Sequence, residues 1–417
     1  MTTQSALSPI AAGDRIERLD VLRGFALLGI LLMNIEAFVG PLFASMDGVN
    51  PALTGADRVV DALVYFFVQG KFYTLFSLLF GMGFAVMSQR ARQARRPFAG
   101  LYWRRGLALL AIGLIHALLI WSGDILVTYA LMSFFLLAFR DILGRWLLGV
   151  AVVVFAAPLG LMMLFGLIGT LMQATPELSQ QWQQALAGQN QMVADMIEGQ
   201  RQAYGSGSYA QATLQRLRDF GIDLTNLITL GPMVFGMFLL GGWFIGNGAI
   251  AAPEKHARLF ALLRWAVLPV GLALMGASFA VRPTLDQSQV DLAFATAFCL
   301  AMLAGALMCL GYMAWVVRAL QSPTLAPGLS LLAPAGRMAL TNYLMQSVVC
   351  TAIFYGYGLG YFERLPRAWQ PLFVLALFAS QVAISHWWLR RFQFGPAEWL
   401  WRALTYLRWP PMRRAEA

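Results

Sequence analysis

The sequence predicts an all-α integral membrane protein: a polytopic bundle of about ten transmembrane helices carrying one helical insert on the outer side. Three observations predict it. Of the 417 residues, 59% are hydrophobic and only 12% charged, with a mean hydropathy of +0.64, a balance that one or two soluble domains do not reach. Apolar runs of membrane length recur along the whole chain. Between them, 22 of the 30 basic residues fall into alternate gaps when both termini are placed inside, which is how cytoplasmic loops are marked. The net charge of +10 is therefore a topology signal and gives no ground for a nucleic-acid partner.

The elements follow in order as a single membrane domain over residues 1–417. A polar start leads into RIERLDVLRGFALLGILLMNIEAF, an apolar helix followed by Asn34 and Glu36 rather than a small-residue cleavage site, so it reads as a retained first span. Residues 54–68 are amphipathic, and KFYTLFSLLFGMGFAVM at 71–87 is the second span, whose glycines suit close helix packing. Six arginines between 90 and 105 follow. Spans three and four form a hairpin over 104–139, and a fifth covers 146–172. Residues 173–226, Gln-rich and too polar for the bilayer, form the outer, periplasmic insert. Further spans are expected at 227–250, 262–281, 292–320, 338–359 and 371–389. The tail at 392–417 combines Trp399, Trp401, Tyr406 and Trp409 with Arg402 and Arg408, a composition suited to a helix lying in the inner headgroup plane. The three cysteines, 299, 309 and 350, sit inside apolar runs without metal-ligand spacing and read as core. No Walker loop is present, and nothing in the residue pattern calls for a metal.

The rest is organised around RRGLALLAIGLIHALLIWSGDILVTYA, residues 104–130. Its apolar arms, Leu107 to Trp121 and Ile125 to Phe139, are each about 15 residues, roughly 22 Å of helix against ~30 Å of hydrocarbon. The Trp121-Ser122-Gly123 turn is thus expected below the membrane surface, buried in protein or lining a wet cavity. His116 and Asp124 flank it, and ionisable groups at that depth mark a functional site by default.

Several separated stretches carry a resemblance: LDVLRGFALLGILLMNIEAF, KFYTLFSLLFGMG, LIHALLIWSGDILVTYAL, GRMALTNYLMQS with CTAIFYGYGLG, and FGPAEWLWRALTY. Together they are similar to the YeiB family of bacterial inner-membrane proteins across nearly the whole chain, least at 173–226 and 251–330. The D-x-x-R-G opening and the membrane His followed by Asp also resemble a wider superfamily of transmembrane acyltransferases that includes the lysosomal heparan-α-glucosaminide N-acetyltransferase. That resemblance implies an acyl group, acetyl or another, taken from an acyl-CoA on the cytoplasmic side and delivered to a glycan, lipid or small molecule outside. By the same analogy the protein is expected in the inner membrane, as a homodimer.

Acyl transfer to a hydroxyl or amine needs a base and a group that orients it, and His116 with Asp124 supply both. The plain alternative is a packing histidine and an N-cap aspartate. Toward the inner side, Arg23, Arg337 and Asn342 are placed to meet the acyl-CoA, although Arg23 also reads as a topology marker paired with Asp20. Asn34, Glu36, Lys71 and Gln346 lie toward the outer side as candidates for acceptor binding, with helix-to-helix hydrogen bonding or interfacial anchoring as their plainer roles. The competing function is a secondary transporter in which the same His and Asp carry protons. His386 reads as an interfacial histidine and His256 as part of a solvated loop.

Overall fold

The computed structural model describes residues 16–141, 144–286 and 288–414. Arg15 and the last three residues of the tail lie outside them, and the side chain of Arg145 is likewise not described. Among the described residues there is no strand, only two isolated bridges. Sixteen α-helices run in the order α1 (Glu17–Val39), α2 (Gly55–Phe67), α3 (Lys71–Gln93), α4 (Ala99–Ile115), α5 (Leu126–Phe139), α6 (Gly144–Leu171), α7 (Pro176–Gly205), α8 (Tyr209–Gly246), α9 (Ala257–Leu262), α10 (Leu268–Val281), α11 (Leu292–Ala319), α12 (Ala326–Ser330), α13 (Ala333–Arg337), α14 (Ala339–Phe354), α15 (Gln370–Arg391) and α16 (Pro396–Tyr406).

Among the described residues, eight stretches of helix are long and apolar enough to cross a membrane, and α5 and α14 are the shorter apolar pair. The molecule is a polytopic helical membrane protein. Its outer face confirms the solvent: α6 presents Trp146, Val152, Val153, Leu164 and Phe165 outward, a contiguous apolar surface that only lipid or another apolar partner covers without cost. α1 runs through the middle, more than half buried, against α3, α13, α14 and α15.

Close approach of backbones sets the packing. A Cβ on Gly81 of α3 would run into the Phe238 carbonyl of α8, and one on Gly241 of α8 into the Leu78 carbonyl of α3. Gly81 of the second span thus has the packing role expected of it, whereas a Cβ on Gly83 would meet only Nη2 of Arg23, at 3.5 Å.

The insert is a helical hairpin of α7 and the first half of α8, which continues into the bundle as one helix of 38 residues. Thr175 caps α7 ahead of Pro176, and Ser208 with Gln211 forms a capping box for α8, so both starts are written locally. We call the pole carrying this hairpin the insert end and the opposite pole, with Arg90, Arg105 and α16, the basic end. α14 stops at Phe354, short of the expected 359. There the chain packs against the insert instead: the Gly356 N–H donates to the Tyr204 carbonyl at 2.7 Å, and the Tyr204 and Tyr355 rings stack 4.7 Å apart.

The two short helices set the depth of what they carry. α5 has 14 residues and α14 has 16, about 21 and 24 Å of helix against ~30 Å of hydrocarbon. The first arm of the hairpin is longer than its apolar run suggested, because the helix begins at Ala99 and takes in Trp103, Arg104 and Arg105.

Candidate functional site

α4 does not end as an α-helix. From His116 to Ile120 it widens into a π turn, closed by the Trp121 N–H on the His116 carbonyl at 2.9 Å. Such a turn leaves carbonyls to be satisfied from elsewhere. The insert does this: Tyr209 donates its hydroxyl to the Leu119 carbonyl (2.7 Å), and Arg216 donates Nε to Leu118 (3.1 Å) and Nη1 to Ile120 (3.3 Å). The chain then crosses to α5 through Trp121, whose ring packs on Phe38 at 4.1 Å. Gly123 passes where a Cβ would strike that indole.

This crossing brings His116 and Asp124 together. Nδ1 of His116 is 2.7 Å from Oδ1 of Asp124, and the two side chains are 0% and 2% exposed. Oδ2 of Asp124 accepts the Val127 backbone N–H at 2.7 Å in the first turn of α5. The aspartate is therefore both the histidine's partner and a helix cap. On the other side of the ring, Nε2 lies 2.8 Å from Oγ of Ser347 on α14. With Nδ1–H donated to the carboxylate, the lone pair of Nε2 faces the serine hydroxyl.

A cavity of about 250 Å³ runs from the basic end toward this cluster. Five half-buried arginines line it: Arg23, Arg90, Arg105, Arg337 and Arg402. Deeper in, its walls are apolar, with Phe76, Leu79, Phe80 and Leu126, and it stops at Ile125 and Tyr343. Tyr343 borders both spaces, since its ring also lies 5.1 Å from that of His116. Of the two settings expected for the turn, the structure shows burial in protein: the insert roofs it, and the cavity reaches it from the opposite pole.

Helix α16 closes part of that pole. Glu398 accepts the Leu340 and Thr341 N–H groups at 2.7 and 3.1 Å and the Thr341 hydroxyl at 2.6 Å, so the tail caps α14. Arg105 stacks over the Trp401 ring at 3.6 Å while Trp401 Nε1 donates to the Arg105 carbonyl at 2.9 Å. The expected tail helix is thus built into the cavity wall.

The other residues singled out in the sequence fall in separate places. Arg23 and Arg337 line the cavity, Arg23 held by Asp20 at 2.9 Å. Asn342 does not line it; its Nδ2 donates to the Ala335 carbonyl and to Ser385, both at 3.0 Å. Gln346 bonds Gln381 at 2.9 Å, and Gln381 returns to the Asn342 carbonyl at 2.9 Å, which ties α14 to α15. Glu36 pairs with Arg367 at 2.9 Å, and Arg367 also holds Asp61 at 2.9 Å. Lys71 is 1% exposed, with Nζ donating to the Tyr65 carbonyl at 2.9 Å. Asn34 is half-buried on α1. None of Asn34, Glu36, Lys71 and Gln346 lines the cavity. His386 bonds the Leu331 carbonyl at 3.0 Å, and the three cysteines are buried and free.

A second polar cluster was not foreseen. Ser122, in the turn, lies 3.3 Å from the Tyr204 hydroxyl, which donates to Asp219 at 2.5 Å; Gln200 and Gln215 each donate to the same carboxylate at 2.9 Å. Spacing gave the only available hint: Gln200 with Tyr204, and Gln215 with Asp219, lie four residues apart on one face of each insert helix.

A family model described as a protein of unknown function, DUF418, matches residues 244–408, a span that includes Tyr343, Ser347 and Glu398. The uncharacterised protein YxaH of Bacillus subtilis (strain 168) is 37% identical over 98% of this chain and 99% of its own length. The uncharacterised protein YeiB of Escherichia coli (strain K12) is 32% identical over 94% of this chain and 96% of its own. An uncharacterised 39.9 kDa protein in the amylase 3′ region of Bacillus acidopullulyticus is 29% identical over 99% and 100%. No solved structure matches the chain.

Proposed function

The chain belongs to the YeiB family, and from that premise we propose that it is a membrane acyltransferase, moving an acyl group from cytoplasmic acyl-CoA to an acceptor at the periplasmic side of a bacterial inner membrane. One observation carries the reading: a cavity lined by five arginines near its entrance ends within one residue of Asp124 and one helical turn of Ser347, beside the buried His116. Guanidinium groups are the natural partners of phosphate and pyrophosphate oxygens. The apolar walls behind them suit the pantetheine arm and an acyl chain, with the thioester at the blind end.

His116 is the base in this reading. Asp124 holds Nδ1–H and so fixes the tautomer in which Nε2 accepts a proton. As the acceptor's hydroxyl or amine attacks the thioester carbonyl, Nε2 takes its proton; the C–S bond breaks and the thiol of coenzyme A leaves. The acceptor is a glycan, lipid or small metabolite that approaches from the insert end. The amides of Asn342 and Gln346 are engaged between helices.

Arg23→Ala is expected to weaken acyl-CoA binding about tenfold, ~1.4 kcal/mol, because it removes one of several charge-assisted contacts. Arg23→Lys keeps the charge and loses the fork, so its affinity should fall between the two. Equilibrium binding to detergent-purified protein measures this, and unchanged affinity in the alanine variant returns Arg23 to a topology marker.

The orientation has its own test. A reporter fused after Ala417 and a tag inserted near Ser206 should report opposite sides of the membrane, the tail cytoplasmic and the insert periplasmic. Finding both on one side removes the assignment of donor and acceptor faces.

A second reading, proton-coupled transport, draws on two neighbouring polar groups, Ser347–His116–Asp124 and Ser122–Tyr204–Asp219, joined at the turn by the Asp124 N–H on the Ser122 carbonyl at 2.8 Å. Such chains carry protons in transporters.

A further inference from the structure

If the chain is an acyltransferase, the partner of His116 on α14 has a role beyond packing. We propose that Ser347 is the nucleophile of a covalent relay, accepting the acyl group from the thioester that enters at the basic end and handing it to the acceptor that enters at the insert end.

The arrangement supports this in three ways. Ser347 Oγ, His116 and Asp124 stand in the order hydroxyl, imidazole, carboxylate, with Oγ to Nε2 at 2.8 Å and Nδ1 to Oδ1 at 2.7 Å, which is the constellation that activates a hydroxyl for attack on an acyl carbon. Ser347 lies one turn from Tyr343, on the face of α14 where the cavity ends. Beside the cluster, the indole of Trp121 lies 6.3 Å from the His116 ring, and its Nε1 is a buried donor with no acceptor among the described residues. A developing oxyanion needs such a donor.

The steps balance. Oγ attacks the thioester carbonyl while Nε2 of His116 takes its proton; the C–S bond breaks, the proton goes to the departing sulfur, and an ester on Ser347 remains with free coenzyme A. The acceptor's oxygen or nitrogen then attacks that ester, His116 takes its proton, the bond to Oγ breaks, and Oγ recovers the proton. A relay of this kind explains a reactive group sunk between two faces: neither coenzyme A nor the acceptor has to cross the bundle, only the acyl group does. A serine that merely packs would bond back to the Tyr343 carbonyl, and that contact is the longer one at 3.5 Å.

The test uses full-length purified protein with acetyl-CoA or octanoyl-CoA labelled in the acyl group and no acceptor. The expected result is up to one equivalent of label per chain, released by hydroxylamine and mapped by mass spectrometry to the peptide containing Ser347, with an equal burst of free thiol. Ser347→Ala should lose the label and at least a hundredfold in transfer, measured as label passed to the lumen of inside-out membrane vesicles. Ser347→Cys should keep the label, as a thioester. Wild-type protein that transfers and depends on His116 yet never carries label overturns the relay and leaves direct attack standing, as does transfer at near wild-type rate by Ser347→Ala. Absence of label, transfer and acyl-CoA binding together overturns the relay along with the acyltransferase reading beneath it.

Discussion

His116→Ala is expected to lower acyl transfer at least a hundredfold, the scale on which a positioned acid-base group acts, while acyl-CoA affinity stays within about twofold of wild type. The separation follows from geometry: the arginines proposed to meet the nucleotide line the cavity, whereas His116 is fully buried and does not. The substitution also leaves the Asp124 carboxylate buried without its partner, which costs stability on the order of 3–5 kcal/mol. His116→Gln is the companion variant, since it retains a polar side chain at the site and supplies no base. Label transfer in inside-out vesicles, read beside acyl-CoA binding and thermal unfolding of the purified variants, decides the matter. Transfer near the wild-type rate in either variant ends the acid-base assignment. Loss of uptake of a solute, with no acyl-CoA dependence at all, replaces it with the transporter.

Asp124→Asn is expected to lose transfer by at least a hundredfold as well, without unfolding the protein. Here the two oxygens of the aspartate separate the two jobs. Oδ2 caps Val127 and Oδ1 receives Nδ1–H. An asparagine keeps the cap with its single carbonyl oxygen, as asparagine does at helix starts, and then presents its NH₂ to Nδ1. That reverses the tautomer: Nδ1 becomes the acceptor and Nε2 carries the proton, so the nitrogen facing Ser347 can no longer act as a base. A purely structural aspartate predicts the opposite pattern, near-normal transfer in Asn and unfolding in Ala. Thermal unfolding of both variants, measured with their transfer rates, distinguishes the two.

Much of this architecture was legible in the residues because the bilayer imposes simple rules on them. Apolar runs of fixed length located the spans. The hairpin at 104–139 stood out because His and Asp are costly in apolar helices, and the structure pairs them. What the residues concealed has physical reasons. Ser347 drew no notice beside Asn342 and Gln346, because a hydroxyl in an apolar helix satisfies itself on the carbonyl one turn back, whereas an amide demands a partner. Those amides proved to be ties between helices. Glu36 looked available to a ligand only because Arg367, which holds it, lies at the far end of the chain. Lys71 passed for an interfacial anchor because nothing local reveals that Met275 on α10 packs beside its amine, 3.5 Å from Nζ. Arg216, inside the polar insert, drew no notice, because the π turn whose carbonyls it binds leaves no mark in the pattern of apolar residues.

The location of the cavity was not legible. A sunken turn left burial in protein and a wet cavity equally open, and the open space comes from the basic end. The reason lies in two segments whose composition is ambiguous: the polar insert, which could have stood away from the bundle and instead roofs the turn, and α16, which could have lain flat and instead anchors through Glu398 and Trp401.

Acyl-CoA binding to the purified protein tests the central claim most directly. The account predicts saturable binding of acetyl-CoA or a longer acyl-CoA, competed by free coenzyme A, weakened by Arg23→Ala and unaffected by His116→Ala. Purified, folded protein that binds neither acyl-CoA nor coenzyme A, while proteoliposomes containing it take up a solute in response to a proton gradient, would contradict it.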